Sequence, residues 1–484
     1  MRSAGRQKLA VFAVCWGMLI ASALFLSGFA GDRLADSDRY WNLGLAQVIS
    51  KEGLIRALPQ FPLIGWNDHF VEKEFLYHEF LGLLAWVGGD RLVELSAPFL
   101  ALVLLTMMFS VLSHRQAPLW SAIIVAVLIL ANPNLLRREF LLRSFVLGQI
   151  IFLATLVALQ RNRHYWVAGL SALYVLSYTN WPILLILIVV HLPFVEIARE
   201  RKRCLLAILA GAAVGIMANP IYPNQLPAVF AGLSAPGRGY AGLGIRYAVD
   251  TVSISLMETL QKYGFLILTA LTGAACAWNV RAKRPLCLLA ILFSVWIFQF
   301  KRMSEYLLIV AIFVIPDVLE RFRGKRFRAA PAFVAIGLIV GTLPNLGLFT
   351  EGTPKSTVRE VDAVRIMLAK VPTGERILNT EYSLGAYGFF ARKDLQFVDA
   401  NDPTYLLLEA PELHVLRERL YRGEKLDWAS VIPGKFGARW IITESPATGR
   451  VLLADPRFRL IWTGYGTKAG TGAPLSYLLI QLGS

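Results

Sequence analysis

Apolar runs recur along the first 349 residues of this 484-residue chain, and most approach the length that crosses a lipid bilayer. A helix needs roughly 20 apolar residues to span the hydrocarbon core, and somewhat fewer where the bilayer thins. The runs predict about eleven transmembrane helices, at 9–30, 92–112, 119–132, 138–159, 165–178, 181–197, 204–221, 262–279, 285–300, 305–319 and 330–349. We therefore expect a multi-span α-helical membrane protein.

The composition agrees with this expectation. Hydrophobic residues make up 56% of the chain and charged residues only 17%, whereas a soluble domain carries about a quarter charged residues. The four cysteines, at 15, 204, 276 and 287, all fall in or beside apolar runs. The sequence therefore offers neither a disulfide framework nor a CxxC metal site.

The chain carries 49 basic and 33 acidic residues, a net charge of +16. Positive charge in membrane proteins collects on cytoplasmic loops. With the N-terminus inside, the alternating inside segments contain eighteen basic and two acidic residues; these are 1–8, 113–118, 160–164, 198–203, 280–284 and 320–329. This bias predicts a multi-pass protein of the cytoplasmic (inner) membrane with a cytoplasmic N-terminus, and it explains the charge without a nucleic-acid partner.

The same alternation places 31–91 and the tail 350–484 outside. The tail has no long apolar run and carries 17 basic and 15 acidic residues. Short β-branched or aromatic stretches alternate there with helix-like segments, a pattern typical of an α/β fold. We predict a transmembrane domain at 1–349, including the first extracytoplasmic loop at 31–91, and a small extracytoplasmic α/β domain at 350–484.

The first outside loop opposes the charge of the whole chain, with nine acidic residues against six basic ones. Asp36 and Asp38 stand about six residues after the first span, next to the start of an amphipathic stretch. Two carboxylates at this spacing can share a divalent cation, or one can act as a general base. The alternative is that one of them simply caps the helix.

A second polar cluster lies in the segment WNDHFVEKEFLYHEF, which contains His69, Glu72, Lys73 and His78. Apolar residues at helical spacing predict that this helix lies on the outer membrane face. Its carboxylates and lysine can meet a lipid-borne phosphate there; the alternative is a solvated polar face. The two histidines have no third histidine beside them, so a zinc site is not expected.

Basic residues also stand at the outer ends of spans, against the inside bias: Arg138 and Arg143 at the fourth span, and Arg302 before the tenth. An ionised residue within the apolar zone costs a few kcal/mol unless it is paired. A phosphate or pyrophosphate carrier would account for these charges. The alternative is that they extend to the lipid headgroups.

Three segments together resemble the GT-C superfamily of membrane glycosyltransferases. DSDRYWNL is similar to its D-x-x-W-H-L or D-E-x-x-Y motifs, and EKEFLYH to the E-K-P-P-L-x-Y signature of protein O-mannosyltransferases and lipid A aminoarabinose transferases. The tail from ILNTEY to DANDPTY resembles the end domain of many uncharacterised bacterial members. Two departures are that Glu74 and Phe75 replace the paired prolines, and that Asp399-Ala400-Asn401 replaces D-G-R.

The resemblance implies transfer of a hexosyl or pentosyl group from a polyprenyl-phosphate donor to a lipid, glycan or protein acceptor in the cell envelope. It assigns Asp38, with Asp36 as the competing choice, to activation of the acceptor or to a possible divalent cation, and Lys73 to the lipid phosphate. We add Arg143, Arg138 and Arg302 as helpers in phosphate binding, on the basis of their positive charge and their depth at the outer ends of predicted spans. The alternative function is a transporter of lipid-linked glycans or an envelope-assembly scaffold.

Overall fold

The computed structural model describes residues 17, 36–130, 132, 138, 141–194, 199–234, 255–322, 356–467 and 474–483. Two predicted spans, 9–30 and 330–349, lie outside these residues, apart from residue 17. The statements below concern the described residues.

Helices dominate the chain up to residue 322. They are α1 (Ser37–Glu52), α2 (Phe75–Ser113), α3 (Pro118–Leu130), α4 (Ser144–Gln160), α5 (His164–Ser177), α6 (Ile183–His191), α7 (Arg199–Ala218), α8 (Gln225–Ser234), α9 (Leu256–Ala277), α10 (Arg284–Trp296) and α11 (Met303–Phe322). Short 3₁₀ turns occur at Pro62–Ile64, Leu192–Phe194 and Arg281–Lys283. Helices α2 to α7 and α9 to α11 coincide with the nine predicted spans that the structure describes.

By length and hydropathy, helix α2 is the one described helix that could cross a membrane, and shorter apolar helices occupy Pro118–Ile129, Ser144–Gln160 and Ile183–Phe194. The helical character of the predicted spans is therefore observed. The number of membrane crossings stays a prediction.

Helix α11 lies at the centre of the helical bundle. Every residue from Met303 to Asp317 is buried, and α11 packs against α9 and α10, with smaller contacts to α2 and α4. A helix that is apolar on all sides is covered by protein neighbours or by lipid, and here protein neighbours cover it. The polar residues at its two ends, Glu305 and Asp317, therefore lie on opposite ends of the bundle core.

At the end of the bundle near Asp317, charges from separate segments meet. Lys283 Nζ lies 2.5 Å from Asp317 Oδ1, and Arg115 contacts both Asp317, at 3.3 Å, and Glu320, at 3.1 Å. Arg115, Lys283 and Glu320 all belong to segments that the charge bias assigns to the inside. Their contact is consistent with one common face for these three segments.

Helix α2 has two arms joined by a kink at Gly88 and Gly89. Gly89 has φ 65° and ψ −164°, a backbone conformation open essentially to glycine alone. The first arm is amphipathic and the second is the apolar predicted span. Leu83, Trp86 and Val87 are exposed on the first arm, as expected for a helix that lies on a lipid surface.

The residues after 355 form a mixed sheet with helices around it. The helices are α12 (Ser356–Leu368), α13 (Tyr382–Ala391), α14 (Pro403–Glu409), α15 (Pro411–Tyr421), α16 (Trp428–Val431), the π-helical turn Ile432–Phe436 and α17 (Pro446–Leu453). The strands are β1 (Arg376–Asn379), β2 (Gln396–Phe397), β3 (Trp440–Thr443), β4 (Phe458–Thr467) and β5 (Pro474–Leu482). We call this part, residues 356–483, the C-terminal segment. Its autonomy as a domain stays a prediction.

The five strands are arranged in the order β2-β1-β3-β5-β4. Strands β2, β1 and β3 are parallel, and β5 runs antiparallel to both β3 and β4. The carboxyl ends of parallel strands meet at one edge of a sheet, where α/β proteins place their functional loops. Here that edge carries the loop after β2, residues 399–402.

An aromatic core joins the first loop to the C-terminal segment. Trp41 of α1 packs on Phe389 of α13 with ring centroids 5.2 Å apart, and Phe61 packs on both rings at 5.5 Å. Trp66 contacts Tyr405 of α14 at 4.7 Å. Such pairs contribute about 0.5–1.5 kcal/mol each beyond their burial. The first loop and the C-terminal segment, which the sequence separates by some 260 residues, therefore share one core.

Gly385 provides a test of this packing. A side chain at Gly385 of α13 would meet the backbone oxygen of Asp399 and lie 2.8 Å from Asn379 Nδ2. Since neither group can move without shifting the loop after β2, we expect Gly385→Ala to destabilise the protein by about 1–3 kcal/mol. The measurement is thermal unfolding in detergent. Gly434→Ala is the control, because nothing lies within 4 Å of the added carbon there; equal stability of the two variants would contradict the packing argument.

Candidate active site

The two first-loop aspartates share one arginine. Asp36 precedes α1 and its Oδ1 accepts a hydrogen bond from Arg39 N at 3.0 Å. Arg143 Nη2 lies 2.6 Å from Asp36 Oδ2 and 2.6 Å from Asp38 Oδ2. The capping alternative for Asp36 is therefore observed, and Asp36 shares Arg143 with Asp38; a role of either aspartate in the chemistry stays a prediction.

Arg143 owes its position to the start of α4. It stands in extended backbone conformation immediately before Ser144, the first residue of that helix. Its guanidinium carries one positive charge between two carboxylates, so the three groups together keep one negative charge. This surplus favours hydroxyl or amine donors at the carboxylates.

The carboxylate pair does not present a divalent-cation site. Arg143 already fills the space between Asp36 and Asp38, and no group of three His, Cys, Asp or Glu residues that could hold a metal ion occurs in the described part of the chain. A hard cation such as Mg²⁺ or Ca²⁺ needs several oxygen ligands around it. The donor set therefore does not fit the divalent cation that the sequence leaves open, and no step below depends on one.

Asn401 connects the C-terminal segment to Asp38. The Asn401 side chain donates a hydrogen bond to Asp38 Oδ1. Asp399, two residues before Asn401, is tied to the end of β1, because its backbone N–H donates to Asn379 Oδ1 at 3.1 Å and its carbonyl accepts from Asn379 Nδ2 at 3.1 Å. The sheet edge thus positions the residue that contacts the predicted base.

Lys73 forms an ion pair with Asp402, the residue that follows Asn401 in the loop after β2. Lys73 Nζ lies 2.6 Å from Asp402 Oδ2 and 4.5 Å from the centre of the Tyr405 ring. Its side chain is 12% exposed, whereas that of Asp402 is 36% exposed. Asn401 and Asp402 therefore contact Asp38 and Lys73 from adjacent positions of one loop.

Both partners of this pair are ionised at neutral pH. Burial by itself lowers the pKa of Lys73, but the charges of Asp402, Tyr405 and Glu74 outweigh it and raise that pKa well above its ordinary value. Burial by itself raises the pKa of Asp402, but the charge and hydrogen bond of Lys73 lower it to about 2.

Glu72 and His78 form a buried chain of hydrogen bonds. His78 Nδ1 lies 2.8 Å from Glu72 Oε2, and His78 Nε2 lies 2.7 Å from Asn42 Oδ1. Asn42 Nδ2 donates to the carbonyl of Leu142, next to Arg143, at 2.6 Å. This chain fixes the turn that carries Lys73 relative to α1 and α4. Contact of Glu72 or His78 with substrate stays a prediction.

Arg138 and Glu305 form a second buried ion pair. Arg138 Nη2 lies 2.6 Å from Glu305 Oε1, and the guanidinium lies 4.8 Å from the Phe145 ring centre. Arg302 stands three residues before Glu305, and both lie within electrostatic reach of Tyr178. His69 is exposed in the turn after Ile64, where its backbone N–H donates to Gly65 O at 3.3 Å.

Several polar residues of the site are absent from the sequence prediction. Asn401, Asp402 and Asn42 are described above, and Glu74 accepts a hydrogen bond from Thr179 Oγ1 at 2.9 Å. Tyr77 lies within electrostatic reach of Asp36, Asp38, Arg143 and Glu74. Among these residues, the sequence points only to the loop after β2, because Asp399-Ala400-Asn401 occupies the D-G-R position of the family motif.

The Lys73–Asp402 pair gives a pH prediction. The lowered pKa of Asp402 contributes stability above its ordinary pKa of 3.8, and that stability is lost as the pH falls through about 2. The raised pKa of Lys73 contributes stability that is complete below 10.5 and is lost only at higher pH. We expect the difference in Tm between wild type and Asp402→Asn to stay constant from about pH 5 to about pH 9. A difference that changes within this range would show that one partner titrates there.

Comparison with protein-family models finds no match, and comparison with curated proteins finds none either. Solved structures do match. An oligosaccharyltransferase from Archaeoglobus fulgidus, in complex with Zn and sulfate, is 13% identical, with a TM-score of 0.58 over 95% of this chain and 72% of that chain. ArnT from Cupriavidus metallidurans bound to undecaprenyl phosphate is 13% identical, with a TM-score of 0.56 over 95% of this chain and 97% of that one.

A second structure of the Archaeoglobus enzyme, tethered to an acceptor peptide containing the NVT sequon, is 11% identical. Its TM-score is 0.59 over 97% of this chain and 74% of that chain. Both proteins are GT-C glycosyltransferases. Identities this low establish a common fold and nothing finer. The resemblance drawn from the sequence is therefore confirmed for the fold: this chain shares the overall fold of these two GT-C glycosyltransferases.

Proposed function

We propose that this protein transfers a sugar from a polyprenyl-phosphate donor to an acceptor at the outer face of the bacterial cytoplasmic membrane. The observation that carries the proposal is the convergence of Asp38, Arg143 and Lys73. Asn401 contacts the first of these, and its neighbour Asp402 contacts the lysine. An acidic group and a nearly buried lysine thereby contact adjacent residues of one loop, and transfer from a phosphate-linked donor requires a base and a cation.

On the acceptor side, Asp38 is the proposed general base. An acceptor hydroxyl or amine attacks the anomeric carbon of the donor and transfers its proton to the Asp38 carboxylate. Arg143 and Asn401 hold that carboxylate at fixed distance from the reacting atoms, which lowers the entropic cost of the reaction. A direct displacement of this kind inverts the anomeric configuration.

On the donor side, the bond between the anomeric carbon and the phosphate oxygen breaks, and polyprenyl phosphate leaves. Negative charge grows on the departing phosphate, and a positive group held beside it stabilises the transition state. Lys73 is the proposed cation. Arg302 and Arg138 remain proposed helpers, although Arg138 is engaged by Glu305 in this structure.

The membrane orientation is part of the same proposal. The basic inside segments favour a cytoplasmic N-terminus, so α1, the first arm of α2 and the C-terminal segment would face the other side. ArnT, which has a related fold, binds undecaprenyl phosphate, and the Archaeoglobus oligosaccharyltransferase is tethered to an acceptor peptide. These ligands support a lipid-linked donor, while the sugar and the acceptor class of this chain remain proposals.

The test is turnover of labelled polyprenyl-phosphate sugars by purified protein. We expect wild type to release polyprenyl phosphate from at least one donor of a hexose and pentose panel. Asp38→Asn keeps the shape of the side chain but removes the base, so we expect kcat to fall by about 10²–10⁴-fold.

Asp362→Asn is the matched control, because Asp362 is an exposed aspartate paired with Arg365 on α12. We expect its turnover to equal that of wild type. Full activity of both Asp38→Asn and Asp36→Asn would remove the first loop from the chemistry. Movement of the intact lipid-linked glycan across vesicles, without release of polyprenyl phosphate, would establish the transporter alternative instead.

A further inference from the structure

Lys73, the proposed phosphate-binding group, is already occupied by a carboxylate of this same chain. Asp402 Oδ2 accepts its hydrogen bond at 2.6 Å, and the Tyr405 ring covers another side of the ammonium. Lys73 is nearly buried. A phosphate that binds this lysine must therefore compete with Asp402 or crowd against it.

The charges around the site make it harder for a phosphate to compete with Asp402. Arg143 faces Asp36 and Asp38, Lys73 faces Asp402, and Arg138 faces Glu305. These three cations thus meet four carboxylates. An anionic phosphate entering among these pairs finds no surplus of positive charge, and like charges a few ångströms apart repel strongly where water is scarce.

Asp402 can lose its contact with Lys73 without losing its other hydrogen bond, because its two oxygens have different partners. Its Oδ2 binds Lys73, while its Oδ1 accepts a hydrogen bond from Thr404 N at 2.9 Å and caps α14. If Lys73 exchanges its partner, the cap remains. Because its side chain is 36% exposed, water can solvate the released oxygen, whereas Lys73 has little access to water and needs an anion in its place.

We propose that Asp402 is an internal competitor of the donor's phosphate: the phosphate displaces Asp402 Oδ2 from Lys73, and this exchange sets the affinity for the lipid-linked donor. The inference rests on the proposed function and deepens it. Polyprenyl chains without phosphate cannot make the exchange, so the loop selects for the anionic carrier.

The exchange also links donor binding to the base. Asn401, the neighbour of Asp402, holds Asp38. The phosphate exchange at Asp402 and the contact to the carboxylate therefore occur at adjacent residues of one loop. The C-terminal segment thereby senses the donor at one residue and orients the proposed base at the next.

The experiment measures the Kd of undecaprenyl phosphate for the purified full chain in detergent. Asp402→Asn removes the competing charge, and asparagine caps a helix as well as aspartate does. We expect its Kd to be roughly tenfold lower than that of wild type. Lys73→Met should raise the Kd, and Asp402→Asn should have no effect in the Lys73→Met background.

Asp427→Asn is the matched control, because Asp427 precedes α16 and pairs with Arg457 at 2.7 Å but is over half exposed. We expect its Kd to be unchanged. Thermal unfolding of every variant verifies that each is folded.

Three outcomes would overturn the inference. A Kd that Asp402→Asn leaves unchanged or raises would show that Asp402 does not compete. An equal decrease in the Lys73→Met background would assign the effect to bulk charge instead of exchange at Lys73. Absence of saturable binding by wild type would overturn the proposed function together with this inference, so the two failures are distinguishable.

Discussion

The packing of the first loop against the C-terminal segment is the constraint on which the candidate site depends. Trp41 and Phe61 from the loop pack on Phe389 from α13, and Gln60 O accepts a hydrogen bond from Phe397 N of β2 at 2.7 Å. Without this shared core the loop after β2 would have no fixed relation to α1. The core is apolar and the candidate site is polar, so the residues that hold the two segments together differ from those proposed to carry out the chemistry.

The charged groups of the site come as pairs contributed by different elements. Arg143 begins α4 and meets carboxylates at the start of α1, whereas Lys73 precedes α2 and meets the loop before α14. Pairing across elements offsets the desolvation cost that each ion would carry alone. Because each cation already has a carboxylate partner, an anionic ligand must replace that carboxylate. In the proposed exchange, selectivity for an anionic substrate arises from this replacement and not from a preformed positive pocket.

The sequence predicts the local features of this structure well. Hydrophobic runs identify nine segments that are helical here, and Asp36 with Asp38 marks the start of α1. Arg143 stands out because an unpaired charge at that depth is costly; the sequence suggests a phosphate carrier as its partner, and in the structure Arg143 contacts Asp36 and Asp38. These predictions succeed because periodicity, capping and the cost of burying charge are encoded within a few residues.

The sequence does not reveal long-range pairings. Nothing near residue 402 indicates a partner at residue 73, and Glu305 gives no sign that Arg138 will meet it. Asn42 looks like an ordinary polar residue of an amphipathic helix until the fold places it between His78 and Leu142. His69 is exposed in a turn, and its contact with substrate stays a prediction. Tertiary packing decides the first three cases.

The central claim is that the first loop and the C-terminal segment form one site for a phosphate-linked donor. An experimental structure of the protein with bound undecaprenyl phosphate tests it most directly. The account predicts a phosphate oxygen within hydrogen-bonding distance of Lys73 Nζ, about 2.7–3.2 Å, with Asp402 Oδ2 withdrawn and Asp38 facing the end of the phosphate where the sugar attaches. A phosphate bound elsewhere, with the Lys73–Asp402 pair intact, would contradict it.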